Sequence, residues 1–382
     1  MERSIKILAI TNLFPNCAEK NRGVFNRQQF RYLDRLCQLK VVAPLPLIKY
    51  SSRQVPMKEI IDEIETYHPR YLVIPKTLRS LYGYTFFLGI LRTIYEIKKN
   101  FTFEVIFSTW AYPDAFGAYL AARMLKKPLV IKVHGSDVNI LGQFPLRRRM
   151  MMAAFRYAYK IIAVSEPLKQ KIVEWGIPSE KVVVVSNGVN TELFHSMKRA
   201  ECRKKLSLSL SEKIVLYVGN LEPVKGPDIL IEAFKKMPAG VKLMMIGKGG
   251  MEKSLKEKVK LLSMEDRVFF LGSKPHNELP VWFNAVDIFC LASRNEGCPN
   301  VILEALACQV PVVATRVGGI PELMTESAGE MVEPQNPEAL AYALINQLAK
   351  DDLKTEVKIM SWQENAQNIF SILKESRNEI LV

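Results

Sequence analysis

The chain has 382 residues, long enough for two α/β domains with full cores, and its 48% hydrophobic content fits a globular protein. No apolar run reaches the roughly 18 residues that a membrane span needs. The net charge of +14 is one-sided: residues 1–190 hold 29 Lys and Arg against 14 Asp and Glu, while residues 191–382 hold 24 against 25. Such an excess reads either as a solvated face or as the mark of a negatively charged partner on the first half.

In chain order, residues 5–10 (IKILAI) read as a buried strand. The N-terminus has no small-residue cleavage site, so it reads as the start of a fold and not as a signal peptide. A polar loop with Gly23 at its bend turns into a helix through Leu36, and KVVAPLPL (40–47) is the next strand. Residues 79–95 carry Leu and aromatics at helical spacing, broken by Gly83 and Gly89, and read as a core helix. FEVIFSTW is a strand, PDAFGAYLAARML a helix, and PLVIKV a strand that runs into His134-Gly135-Ser136-Asp137. A histidine at a strand's carboxyl end projects where open α/β sheets bind ligands, although it could also simply cap the next turn. Residues 145–162 join Arg147, Arg148 and Arg149 to a Met-rich apolar helix. A helix after Ser165 and the strand KVVVVSNG lead to a domain joint near residue 190.

The second half repeats the alternation of strand, glycine loop and helix. KIVLYV runs into Gly219-Asn220 and then Lys225-Gly226, and VKLMMI into another glycine loop. RVFFLG follows, with a loop at 272–275. DIFCLAS leads into the block SRNEGCPNVILEALACQVPVVATRVGGIPEL. There Glu296 and Glu304 stand eight apart, and Asn300 opens a helix whose free N–H groups suit an anion. Carboxylates beside a diphosphate would repel it, so both fit acceptors for sugar and ribose hydroxyls. An ordinary αβα unit with two solvated glutamates fits the spacing equally well. The six cysteines form no C-x-x-C pair and no metal-ligand spacing, and read as reduced thiols of a cytosolic protein. Residues 361–373 read as a last helix.

Four blocks in this order resemble the retaining GT-B glycosyltransferases of family GT4: the opening glycine loop, HGSD, GNLEPVKG and E-x7-E. The resemblance covers nearly the whole chain. It implies two Rossmann-like parallel-sheet domains facing a central cleft: an acceptor domain over 1–190, a donor domain over 191–360, and a helix over 361–382 crossing back to the first. It also implies residue roles. His134 would orient the reacting sugar, with Gly23, Gly135 and Asp137 in loops near acceptor and phosphate. Gly219, Asn220, Lys225 and Gly226 would hold the donor diphosphate. Glu296 would meet the sugar hydroxyls, Glu304 the ribose, and the backbone from Gly297 through Asn300 and Val301 the phosphate and hydroxyls. Three departures stand out. Asn220 replaces the family's arginine and forfeits a bidentate phosphate contact. Gln309 stands where the family has Gly, and Asn190 where it has Asp.

The implied function is transfer of a sugar from a nucleotide-diphospho-sugar to a glycan or lipid-linked acceptor with retained configuration, in cell-surface polysaccharide synthesis of the teichuronic-acid and exopolysaccharide type. Neither cofactor nor metal is expected, since no D-x-D occurs, and no nucleic-acid partner is expected. The charge excess makes an anionic membrane surface a further partner of a cytoplasmic, peripheral enzyme, with Arg147, Arg148 and Arg149 as the facing residues and Tyr82, Tyr84, Phe86 and Phe87 as interfacial aromatics. A sugar-nucleotide epimerase of the same architecture and a non-enzymatic nucleotide-sugar binder are the rival readings.

Overall fold

The computed structural model describes residues 5–48, 54–73, 79–350, 357 and 359–378. The chain divides into two compact units, one formed by residues 1–187 with 362–382, the other by 188–361.

In the first unit the sheet order is Val182–Val184, Lys160–Ala163, Leu129–Val133, Val105–Thr109, Lys6–Ile10, Gln38–Val42, Ile64–Tyr67 and Lys58–Ile61. Every pairing is parallel except the last, where Lys58–Ile61 runs antiparallel to Ile64–Tyr67. The central strands Val105–Thr109 and Leu129–Val133 are buried at every position, as expected where helices cover both faces. The strand expected over 40–47 stops at Val42, and Leu45–Pro46 pairs with Arg70–Tyr71 in a separate ladder. Pro44 and Pro46 have no N–H to give the main sheet. Helix Tyr82–Asn100 buries Gly83, Phe86, Ile90, Thr93, Ile94 and Ile97, so the stripe read from residues 79–95 does pack inward on one side.

The second unit has an all-parallel sheet in the order Val268–Gly272, Val241–Ile246, Lys213–Val218, Ile288–Leu291, Val312–Thr315 and Gly329–Val332. The helix expected just after Pro299 spans Asn300–Ala307. It ends in Gln309 at φ +59, so glutamine takes the left-handed position that the family fills with Gly. Among the described residues, no helix is long and apolar enough to cross a membrane.

Helix Trp362–Ser376 returns to the first unit and packs on helix Val24–Leu33. Ile369 and Leu373 are fully buried there, and Asn365 supplies the polar specificity. Its amide donates to the Ser186 carbonyl at 2.6 Å, a half-buried bond, and accepts from Gln29 at 2.8 Å inside the core. Asn365→Ala strips both partners without letting water in. The expected loss is about 1–3 kcal/mol, read as a lower urea midpoint. An unchanged midpoint would mean that apolar packing alone seats the helix.

Candidate functional site

In both units the chemistry-bearing residues stand on loops that follow the carboxyl ends of parallel strands, the edge at which open α/β sheets bind ligands. In the first unit three such loops are laced together by two buried carboxylates. Asp114 accepts from the Asn12 N–H at 2.9 Å, which ties the opening loop to the segment after Thr109. Asp137 Oδ1 accepts from the N–H groups of His134, Gly135 and Val138, and Oδ2 from that of Ala111 at 2.8 Å. Burial pushes Asp137 up to about 6 against these donors, and lifts Asp114 well above the usual carboxylate range.

These bonds refine the expectation for Asp137: it stands in its loop with the carboxylate turned inward onto backbone N–H groups. It is wholly buried, and its part is to shape the HGSD turn, where Gly135 has φ +112. Gly23 has φ +58, and a Cβ there would lie 2.1 Å from the Leu13 carbonyl oxygen.

His134 is the residue this scaffold positions. Its ring lies 4.5 Å from that of Phe25 and stacks on Trp110 at 6.2 Å. Nε2 is shielded from solvent and has no hydrogen-bond partner among the described residues. Burial, helped by the nearby Lys132, holds the imidazole well below its ordinary pKa, so it is neutral at pH 7. Trp110 has φ +106, an outlier for an aromatic residue, and it stands directly beside this histidine. Nothing in sequence spacing announced it.

Arg147 corrects an expectation. It is 8% exposed, with its guanidinium 4.2 Å over the Phe144 ring, and cannot face a bilayer. Met150, Met151, Met152 and Phe86 are buried with it. Arg148 and Arg149 stay accessible beside a groove of about 340 Å³, where Arg148 stacks on Trp175 at 4.6 Å.

In the second unit, Lys225 and Glu296, 71 residues apart, form an ion pair: Lys225 Nζ donates to Glu296 Oε1 at 2.7 Å and Oε2 at 2.9 Å. Ser293 Oγ donates to the same Oε1 at 2.6 Å. The loops are clamped at backbone distance. A Cβ on Gly226 would meet the Ala292 carbonyl oxygen at 1.9 Å, and one on Gly318 the Glu296 carbonyl oxygen at 1.9 Å. Gly319 N–H donates to the Gly297 carbonyl at 3.0 Å, and Arg294 N–H to that of Val224 at 2.8 Å. Gly226 and Gly318 therefore let their two loops close onto the loop that bears Glu296.

Eight residues on, Glu304 lies in helix Asn300–Ala307, which also carries Asn300 and Val301 in its first turn. Glu304 is buried; Oε1 lies 2.8 Å from His276 Nε2, and Oε2 is buried with no partner among the described residues. His276, packed on Phe194 at 5.0 Å, is a site residue that sequence reasoning passed over. Gly219 donates its N–H to the Ile246 carbonyl, and exposed Asn220 follows it on the loop. Arg294 does not stand in for the arginine missing at 220, because its guanidinium is spent on a bidentate pair with Asp228 at 2.9 and 2.7 Å. Among the described residues, no group of three or more His, Cys, Asp or Glu could hold a metal ion.

Two parallel-sheet α/β units with glycine loops and buried carboxylates at their strand ends define the architecture of GT-B glycosyltransferases. The chain belongs to the group 1 glycosyltransferases: residues 198–368 match the family model for glycosyl transferases group 1, and residues 27–193 that for glycosyltransferase family 4. It is 27% identical to the putative teichuronic acid biosynthesis glycosyltransferase TuaC of Bacillus subtilis (strain 168), over 92% of each chain. It is 30% identical to N-acetyl-alpha-D-glucosaminyl L-malate synthase of Bacillus anthracis, over 69% of this chain and 70% of that one. Its fold matches Anabaena Alr3699/HepE, solved in complex with UDP-glucose, with a TM-score of 0.71 at 22% identity over 97% of this chain and 98% of that one.

The ion pair yields a prediction that needs no substrate. Lys225→Ala leaves the Glu296 carboxylate buried beside only Ser293, at an expected cost of about 1–3 kcal/mol. Adding Glu296→Gln removes the stranded charge and should recover part of it. Equal stability of Lys225→Ala and wild type in urea would mean the pair contributes nothing to the fold.

Proposed function

We propose that the protein transfers a sugar from a nucleotide-diphospho-sugar to a glycan or lipid-linked acceptor, with retention of anomeric configuration, in the synthesis of a cell-surface polysaccharide. The observation that carries this is the pair of buried glutamates eight residues apart, one charge-paired and one with an oxygen left over. A buried carboxylate oxygen with no donor demands an O–H or N–H. Glu304 Oε2 has that vacancy, and a ribose hydroxyl supplies the donor. Glu296, held by Lys225 and Ser293, receives a hydroxyl of the sugar.

The leaving group is the nucleoside diphosphate. Lys225 and the free N–H groups opening helix Asn300–Ala307 stabilise the charge that develops as the bond from the anomeric carbon to the diphosphate oxygen breaks. The acceptor oxygen bonds to that carbon on the same face, and its proton passes to the departing diphosphate. Retention follows from same-face attack. Neutral His134 offers Nε2 to the transferred sugar as a hydrogen-bonding group with no charge change of its own. Because Lys225 and these N–H groups meet the diphosphate, turnover needs no divalent ion. The likeness to a putative teichuronic acid biosynthesis glycosyltransferase over 92% of each chain supports the polysaccharide reading.

The two glutamates should separate in calorimetry and kinetics. Glu304→Ala should weaken binding of free nucleoside diphosphate about 10-fold, the worth of one hydrogen bond to a charged group. Glu296→Ala should keep that affinity and lose turnover. Unchanged nucleotide binding by Glu304→Ala would end the ribose assignment. Turnover should also survive EDTA; loss restored by magnesium or manganese would contradict the metal-free route.

A further inference from the structure

Helix Tyr82–Asn100 buries one face, and the opposite face is unusual. Leu81, Tyr84, Leu88 and Tyr95 are 43%, 46%, 66% and 46% exposed. With Arg92 and Lys99 they recur every three or four residues from 81 to 99, which places all six on one stripe, directly opposite the buried set at about 100° per residue. Met124 continues the surface, with its sulfur 3.7 Å from the Tyr95 hydroxyl, and is itself exposed. Solvated helices carry charge here; this one carries leucine and tyrosine.

We propose that this stripe docks the protein on an anionic lipid surface. The inference rests on the lipid-linked acceptor of the reading above and names the surface that would meet it.

Charge selects the occupant. On the helix itself the one acidic residue, Glu96, is already bonded to Arg92 at 2.9 Å, which leaves Lys98 and Lys99 as the helix's net charge within a half of the chain whose net charge is +15. A second copy of the chain on this face would set these cations against one another. An anionic bilayer pairs them, each basic residue near it contributing attraction that falls off within a Debye length. Tyrosine suits the boundary, since its ring is apolar and its hydroxyl wet. In the second unit, by contrast, the exposed large apolar residues among those described are Leu210, Leu261 and the pair Tyr342 and Ile345 on helix Pro337–Leu348, with no stripe as long as this one.

The stripe is also wired to the candidate site. Gly83 N–H donates to the Tyr112 hydroxyl at 2.9 Å, and that hydroxyl donates to the Ser80 carbonyl at 2.7 Å. The neighbouring Ala111 N–H holds Asp137 of the HGSD turn. The start of the docking helix and the loop bearing His134 are therefore two hydrogen bonds apart on one segment.

The test uses the full chain and vesicles of phosphatidylcholine alone or mixed in equal parts with phosphatidylglycerol. Wild type should sediment with the mixed vesicles, weakly with the neutral ones, and less at high salt. Leu88→Glu/Tyr95→Glu changes two exposed positions, so its urea midpoint and its affinity for nucleoside diphosphate should match wild type, while vesicle binding falls at least 10-fold. Because nucleotide affinity is read separately, a failure of docking is distinguishable from a failure of the donor site. Undiminished vesicle binding by the variant would overturn the proposal, as would wild type that stays in the supernatant with every vesicle. A concentration-dependent dimer abolished by the same variant would also overturn it, making the stripe a subunit interface.

Discussion

A parallel sheet covered on both faces leaves almost no place for polar side chains except the ends of its strands. In this chain the central strands of the first unit are buried residue by residue, and every candidate functional side chain lies past a strand's carboxyl end or on the helix that follows. The loops there must carry the chemistry and also satisfy their own backbone, since they enter the protein rather than skirt it. Asp114 and Asp137 do this for the first unit by accepting five N–H bonds between them. Glycines at backbone contact distance do it for the second.

The same constraint sets the electrostatics. Glu296 lies at the foot of its loop with little water, so it is tolerable there only with Lys225 and Ser293 on it. For the diphosphate proposed above, Lys225 would be a cation already in place and already desolvated in part, and its reorganisation a change of partner rather than a search. Glu304 is the opposite case, with one oxygen beside His276 and the other still owed a donor. A ligand hydroxyl removes that penalty on binding, which favours a polyol over any apolar guest.

Much of this architecture was legible in residue order. Runs such as LVIKV and KIVLYV read as buried strands because a two-sided sheet requires continuous apolar sequence. HGSD, Lys225-Gly226 and the glutamate pair stood out by their place after such runs. What escaped is long-range: the pairing of Lys225 with Glu296, the clamp from Gly318 and the bond from His276 to Glu304 depend on loops that meet only once the sheet is formed. Arg147 illustrates the converse. A basic triplet looks like surface, yet a helix turns 100° per residue, and the first arginine points inward while the next two do not. Trp110 owes its role to a backbone angle, which no composition reveals.

In the proposed reaction the buried glutamates and Lys225 serve to release a sugar from its diphosphate. The direct measurement is proton and phosphorus NMR of the purified protein with a panel of nucleotide-diphospho-sugars and no acceptor, water being the only nucleophile. Slow release of nucleoside diphosphate from one donor is expected, with the free sugar first appearing in the donor's own anomeric configuration. Conversion of the donor to a different nucleotide sugar would make the protein an epimerase. Binding of a donor with no release, alone or with any acceptor, would make it a carrier of nucleotide sugars, and either result would contradict the account.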